Sequence, residues 1–186
     1  MFDLSFYGNL SETKKAIMKL SFIIPFYNGK KYIKECIDSL YQQDIPTEEY
    51  EVIVVDDCST DKESLSLLSM LEVKYTNLRV IRNERNSRCG ESRNHGVREA
   101  KGKYVWFVDS DDYVVPNVLN SLIKIVKERN LDILQFNDDK VLLNDTCVMT
   151  GIEYAQMAKN TWSIRLPLMW RTLFRRSFLL DNRLSF

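Results

Sequence analysis

Residues 51–61, EVIVVDDCSTD, contain the pattern on which the fold prediction depends. The first five are mostly β-branched and apolar on both faces, which is typical of a strand covered on two sides. Acidic and hydroxyl residues follow, and these are the residue types that begin helices. Leucines at 65, 67 and 68 then supply an apolar helix face. The stretch therefore predicts a buried parallel strand followed by a helix.

The same alternation continues in both directions along the chain. Further short apolar runs, which predict strands, lie at residues 20–25, 78–81, 103–109 and 133–136. Amphipathic stretches lie between them: residues 33–41, residues 91–101, and a helix whose first position suits Pro116. Strands alternating with helices at this spacing predict an α/β fold, a Rossmann-like, mostly parallel sheet with helices on both faces.

The composition excludes several classes of protein. The 186 residues have 45% apolar content, which excludes a disordered chain, and 26 basic against 26 acidic residues, which excludes a strongly basic nucleic-acid binder. No apolar run is long enough to span a membrane, and no secretory signal is evident. The four cysteines form no C-x-x-C pair, which argues against zinc or a disulfide framework. With a single histidine, any chemistry depends on carboxylates.

The chain divides into three parts by pattern. Residues 1–17 precede the natural start at Met18 and are interpreted as an N-terminal extension or tag-like segment. Residues 18–136 contain the regular alternation and form the main domain. After about Asn137 the pattern loosens, and residues 137–186 mix aromatic residues with arginines.

Three of the predicted strands end in polar or aromatic residues. The first ends at Pro25 and Tyr27, the second at Asp56 and Asp57, and the fourth at residues 109–112, DSDD. Because ligands of an open parallel sheet bind beyond the carboxyl ends of the strands, these side chains are expected around one site.

Asp109 and Asp111 are the strongest candidates for metal ligands. In an extended chain, residues i and i+2 point the same way, so both carboxylates would face one spot. Their mutual repulsion is relieved by a hard divalent ion such as Mg²⁺ or Mn²⁺. The alternative is a solvated acidic turn that precedes the helix near Pro116.

Two further candidates have both a structural and a functional interpretation. Asp56 and Asp57 are either capping acids for the helix that follows, a task that Asp61 can also perform, or acceptors for a base edge such as the N3–H of uracil. Tyr27 is either a packing aromatic or a platform on which a nucleobase stacks.

Arg93 is predicted to point inward, because it shares a helical stripe with Val97 and Ala100. A buried guanidinium needs an anionic partner, which is either Asp109 or a bound diphosphate. His95 lies off this stripe and is predicted to be a surface residue.

Four segments in order, FIIPFYN, EVIVVDDCSTD, GESRNHGVREAKGKY and VWFVDSDD, resemble the nucleotide-binding half of family-2 inverting glycosyltransferases of the GT-A fold. The resemblance covers about residues 20–136. It implies the fold of the nucleotide-diphospho-sugar transferases, with residues 18–136 as the nucleotide-sugar-binding domain. It also implies that residues 137–186 are the incomplete start of an acceptor-side region.

The resemblance also implies roles for individual residues. It implies nucleotide-binding roles for Pro25, Tyr27, Asp56, Asp57, Arg93 and Asp109. Asp111, with Asp109, is implied to bind a divalent metal, Mn²⁺ or Mg²⁺. Cys58 and Ser92 replace the glycine and alanine usual in the family, and both are small enough to fit.

The implied activity is metal-dependent transfer of a sugar, with inversion, from a nucleotide-diphospho-sugar, most simply UDP-linked. The implied acceptor is a saccharide or lipid-linked molecule in cell-surface polysaccharide synthesis. The likeness implies a cytoplasmic protein whose full-length form associates peripherally with the inner face of the membrane. It is also compatible with assembly into a homo-oligomer. The general base is expected beyond Phe186, so the open alternative is a non-catalytic nucleotide-sugar-binding or assembly module.

Overall fold

The computed structural model describes residues 17–136, 148–149 and 169–186. The strands are β1 (Leu20–Phe26), β2 (Tyr50–Asp56), β3 (Leu78–Arg82), β4 (Tyr104–Phe107), β5 (Ile133–Gln135), β6 (Val148–Met149) and β7 (Thr172–Arg175). Within these residues they form one sheet of seven strands in the order β3-β2-β1-β4-β7-β5-β6.

Five α-helices lie within the described residues. They are α1 (Ile33–Leu40), α2 (Lys62–Lys74), α3 (Arg88–Glu99), α4 (Leu119–Glu128) and α5 (Arg176–Asp181). Short 3₁₀ helices at Thr47–Glu49 and Met169–Arg171 precede β2 and β7. None of the helices in this part of the chain has the length and apolar character needed to cross a bilayer.

The first four strands are parallel, and β1 lies at their centre. Ile23 of β1 is in register with Ile53 of β2 on one side and with Phe107 of β4 on the other. Every residue of β1 and β2 is buried. Successive side chains alternate between the faces of the sheet, so two apolar layers form, one of which includes α1 and α4 and the other α3. The predicted α/β sheet with helices on both faces is thus confirmed.

Residues far apart in sequence complete the other half of the sheet. β7 lies between β4 and β5 and is antiparallel to both, with Phe174 opposite Val105 and Ile133. The predicted fifth strand therefore exists, and its partner comes from the C-terminal part of the chain. The predictions for residues 1–16, and for most of residues 137–168, lie outside the described residues.

The fourth predicted helix begins later than its sequence suggests. Pro116 was expected at its first position, but α4 starts at Leu119. Asn117 has a φ of 60°, and its N–H donates to the carbonyl of Gln42 across 3.1 Å. A left-handed residue cannot belong to a right-handed helix, so this contact delays the helix start.

α3 packs unusually closely on the central strand. A Cβ atom added at Gly96 would lie 2.3 Å from Cγ2 of Ile23, which is fully buried. Only glycine permits this approach. The first turns of α3 consequently lie beside the carboxyl ends of β1 and β2.

Candidate functional site

A cleft lies beyond the carboxyl ends of β1, β2 and β4, which are adjacent in the sheet. Its volume is about 310 Å³. The residues that line it are Pro25, Phe26, Tyr27, Asp57, Cys89, Ser92, Arg93, Asp109, Ser110 and Asp111. Six of the seven predicted site residues therefore share one cleft, and Asp56 is the exception.

Tyr27 lies at the edge of the cleft with 49% of its surface exposed. The next residue, Asn28, has a φ of 49° and is tied to the loop after β2. Its N–H donates to Oγ of Ser59 at 2.9 Å, and its side-chain oxygen accepts hydrogen bonds from the backbone N–H groups of Thr60 and Asp61, each at 3.0 Å. These contacts fix the turn that holds the tyrosine ring half-exposed.

Asp56 holds the loop after β2 through Ser59 and does not line the cleft. It is 1% exposed, and its Oδ1 accepts a hydrogen bond from the N–H of Ser59 at 3.0 Å. Its Oδ2 lies 3.3 Å from Nε of Arg82 in an ion pair. Both oxygens therefore have partners within the protein.

Asp57 caps a helix, but a different one from the helix considered in the sequence. Its Oδ1 accepts hydrogen bonds from Nδ2 of Asn83 (2.7 Å) and the N–H of Ser87 (2.9 Å), and its Oδ2 accepts one from the N–H of Arg88 (2.7 Å). The last two donors belong to the start of α3, since Ser87 is its N-cap residue. Asp57 thus satisfies helix donors and lines the cleft at once.

Asp56 and Asp57 do not cap the helix after β2, which was one of the two roles that the sequence left open for them, and Asp61, the other capping candidate, does. Asp61 is the N-cap of α2, and its carboxylate accepts hydrogen bonds from the N–H groups of Glu63 (3.2 Å) and Ser64 (3.1 Å). The side chain that follows the turn, rather than the one at the strand tip, reaches these donors.

Arg93 points inward as predicted, with 14% of its side chain exposed. Its Nη2 donates to Oδ1 of Asp109 at 2.6 Å, which is the first of the two partners considered from the sequence. Nε of Arg93 is buried and has no hydrogen-bond partner. The guanidinium therefore has one buried donor without a partner within the described residues.

The D-x-D segment forms a turn instead of continuing the strand. β4 ends at Phe107, and the N–H of Asp112 donates to the carbonyl of Asp109 at 3.0 Å. The strand alternation expected for Asp109 and Asp111 is therefore wrong, although both residues line the cleft. Burial and the nearby charges of Asp109 and Asp111 raise the pKa of Asp112.

The donor set of this turn suits a hard divalent cation. Carboxylates are the ligands that Mg²⁺ and Mn²⁺ prefer, and the turn carries three of them, at Asp109, Asp111 and Asp112. Within the described residues, no group of three or more His, Cys, Asp or Glu side chains is arranged around one metal position. A bound cation would therefore take its remaining ligands from water or substrate phosphates.

Sequence reasoning missed the residues behind Asp57. Asn83 follows β3 and contacts both Asp57 and Oγ of Ser92, and His95 contacts Asn83 at 2.7 Å. His95 is half-buried, so the prediction of a surface position is wrong. Asn83 directly follows β3, which lies beside β2, and this position at a strand end was the signal that could have identified it.

Comparison with known families gives a match over most of the chain. Residues 21–178 match the family described as Glycosyl transferase family 2. The poly(ribitol-phosphate) beta-glucosyltransferase of Bacillus spizizenii is 46% identical over 117 residues, which are 62% of this chain and 18% of that protein. The uncharacterized glycosyltransferase YibD of Escherichia coli is 30% identical over 184 residues, which are 90% of this chain and 52% of that protein.

Solved structures show the same architecture. The crystal structure of Staphylococcus aureus TarS residues 1–349 has a TM-score of 0.71 and 33% identity, covering 91% of this chain and 50% of that one. The same fragment in complex with UDP-GlcNAc has a TM-score of 0.68 and 36% identity, covering 91% of this chain and 48% of that one. The chain thus spans about half of the solved structures, and a fifth or half of these curated relatives. With its sequence and fold both matched, the chain belongs to glycosyltransferase family 2, with the GT-A fold.

Proposed function

We propose that the cleft binds a UDP-sugar together with a divalent cation, and that the protein transfers the sugar, with inversion, to a saccharide or lipid-linked acceptor of cell-surface polysaccharide synthesis. One observation supports this most strongly. One cleft of about 310 Å³ at the strand ends contains a half-exposed aromatic ring, a carboxylate that caps α3, an arginine and the acidic turn.

The nucleoside end of the cleft has an aromatic face and an acceptor. The ring of Tyr27 offers a surface on which uracil stacks beside Pro25, and the carboxylate of Asp57 accepts from the N3–H of uracil. Asp56 contributes through the backbone, because it holds Ser59, whose hydroxyl holds the residue after Tyr27.

The diphosphate end of the cleft has one arginine, Arg93, and two carboxylates, those of Asp109 and Asp111. The guanidinium of Arg93, a residue that lines the cleft, donates to a phosphate oxygen, while Asp109 binds the ribose and, with Asp111, would hold the cation. A bound Mn²⁺ or Mg²⁺ would supply neutralisation of the charge that grows on the leaving diphosphate. Phosphate oxygens and water would supply the ligands that the two carboxylates do not.

Transfer is one displacement at the anomeric carbon. The acceptor oxygen forms a bond to that carbon while the bond to the diphosphate oxygen breaks, and a general base takes the hydroxyl proton. The names of the relatives favour glucose or N-acetylglucosamine as the donor sugar and poly(ribitol phosphate) as an acceptor. Localisation at the cytoplasmic face of the membrane is part of this proposal.

Calorimetry of the 186-residue protein with UDP, with and without MnCl₂, tests the donor site. We expect binding that requires Mn²⁺ and is lost in Asp111→Asn. Asp181→Asn, which removes an exposed carboxylate at the end of α5, is the matched control and should bind normally. Absence of UDP binding by the unmodified protein would contradict the proposal.

A transfer assay separates an enzyme from a non-catalytic binding module. UDP-glucose and UDP-GlcNAc are each offered with poly(ribitol phosphate), and sugar incorporation is measured. Incorporation that Asp111→Asn abolishes supports transfer. UDP binding without incorporation would support the binding module instead.

A further inference from the structure

Asp57 has one acceptor position left for a ligand. A carboxylate has roughly four lone-pair positions, and three are used by Asn83, Ser87 and Arg88. Two of these bonds reach Oδ1 and one reaches Oδ2, so the free position is on Oδ2. Because Asp57 is only 3% exposed and lines the cleft, its direction is set by its protein partners.

The amide of Asn83 joins two groups of the cleft wall. Its Nδ2 donates to Oδ1 of Asp57 at 2.7 Å and to Oγ of Ser92 at 3.0 Å. Ser92 is fully buried by the protein yet is among the residues that border the cleft. One amide nitrogen therefore fixes an acceptor and a hydroxyl side by side.

His95 supports the amide orientation that Asp57 requires, since a carboxylate only accepts and so faces the amide nitrogen. Its Nδ1 lies 2.7 Å from Oδ1 of Asn83, and an amide oxygen only accepts, so Nδ1 carries the hydrogen. A flipped amide would turn its oxygen toward the carboxylate of Asp57 and its NH₂ group toward the ring N–H. Asp57 and the bond from His95 thus together stabilise the orientation in which Asp57 and Ser92 share one donor.

The carboxylate of Asp57 and the hydroxyl of Ser92 together match the hydrogen-bonding edge of uracil. Uracil offers an N3–H donor beside carbonyl acceptors, which suits a carboxylate acceptor beside a hydroxyl donor. Cytosine offers an unprotonated N3 and an amino group, so its N3 lone pair would face a carboxylate oxygen. Opposing two acceptors in a desolvated site costs binding energy, and this gives selectivity.

We propose that Asn83 and His95 are positioning residues for base selection: through Asp57 and Ser92 they make the cleft prefer uracil to cytosine. This rests on the proposed function, because it takes the nucleotide to bind in the same cleft. Neither Asn83 nor His95 lines the cleft, so both act through the residues that do.

The test is the ratio of UDP to CDP affinity, measured by calorimetry with MnCl₂. We expect the unmodified protein to prefer UDP, and His95→Ala to reduce that preference about fivefold to tenfold, mainly by weakening UDP binding. His95→Asn should restore it, because its amide nitrogen is attached to Cγ as Nδ1 of histidine is. Arg98→Ala, an exposed change on the same helix, is the control and should keep the ratio.

Asn83→Ala should reduce the preference further, since it removes the donor to both Asp57 and Ser92. If this variant does not fold, the comparison of His95→Ala with His95→Asn decides the question. A folded His95→Ala protein that keeps the full UDP preference would overturn the inference alone. An unmodified protein that binds UDP no better than CDP would overturn both the inference and the uridine site on which it rests.

Discussion

Nη2 of Arg93 donates a hydrogen bond to Oδ1 of Asp109 across 2.6 Å and so joins α3 to the turn after β4. The arginine side chain is 14% exposed and the aspartate 32%. The pair balances one of the acidic charges of the turn, and the Nε atom of Arg93 remains without a partner. In the proposed site the same guanidinium therefore both restrains a carboxylate and remains available to a phosphate.

Arg93→Gln should separate these two tasks. Without the guanidinium, the affinity for UDP in the presence of Mn²⁺ should fall about tenfold, because a hydrogen bond to a charged group contributes about 1.5–3 kcal/mol. Mn²⁺ alone should bind more tightly, because the guanidinium of Arg93 no longer occupies the carboxylate of Asp109. Calorimetry measures the first effect and electron paramagnetic resonance of free Mn²⁺ the second. Unchanged UDP affinity would contradict the role of Arg93.

Tyr27→Ala should weaken UDP binding by about 1–3 kcal/mol if the ring stacks on the base. Tyr27→Phe should bind nearly as well as the unmodified protein, because the aromatic face is kept. Tyr32→Ala is a matched control: this tyrosine is 43% exposed and does not line the cleft. Fluorescence or calorimetric titration with UDP gives the affinities, and equal losses in Tyr27→Ala and Tyr32→Ala would argue against stacking.

Gly96→Ala should destabilise the fold by about 1–3 kcal/mol, the usual cost of overpacking. Its added methyl group would lie 2.3 Å from Cγ2 of Ile23, which is fully buried and cannot move aside. Urea unfolding measures the change. Arg98→Ala on the exposed side of α3 is expected to change stability by at most about 0.5–1 kcal/mol. Similar stabilities for the two variants would show that α3 can shift away from β1.

Asp38 gives the fold a pH dependence. Burial raises the pKa of this carboxyl, but hydrogen bonds from Lys34, Tyr75 and Lys74 outweigh it and lower the pKa to about 2. A depressed pKa contributes stability above the pKa of the unfolded chain, near 3.8, and the contribution is lost as the pH falls toward 2. Asp38→Asn should therefore destabilise the protein at pH 7 by about 1 kcal/mol and by less at pH 3.

Urea unfolding of both proteins at pH 7 and pH 3 measures this difference. Asp181→Asn, at an exposed position, serves as the control and should match the unmodified protein at both values. A deficit for Asp38→Asn that is equal at pH 7 and pH 3 would contradict the linkage.

Much of the fold followed from local patterns. The all-apolar strands β1 and β2 and the helix faces of α1 and α4 could be predicted because each depends on a period that neighbouring residues display. The end of β4 and the start of α4 could not, because Asp109 is bound by Arg93 of α3 and the left-handed Asn117 by the carbonyl of Gln42. Likewise, nothing near Thr172 in the sequence indicates that β7 lies between β4 and β5.

The sequence by itself determined the alternation of strands and helices, the family resemblance and the residue types at three strand tips. The tertiary structure decided which carboxylates face the cleft. Asp57 binds the start of α3 and lines the cleft, whereas Asp56 binds Arg82 and Ser59. Asn83 and His95 lie behind Asp57 and hold it. The reason is physical: a strand-tip side chain takes whichever hydrogen-bond partners the neighbouring strands and loops bring to it, and these come from residues up to 33 positions away.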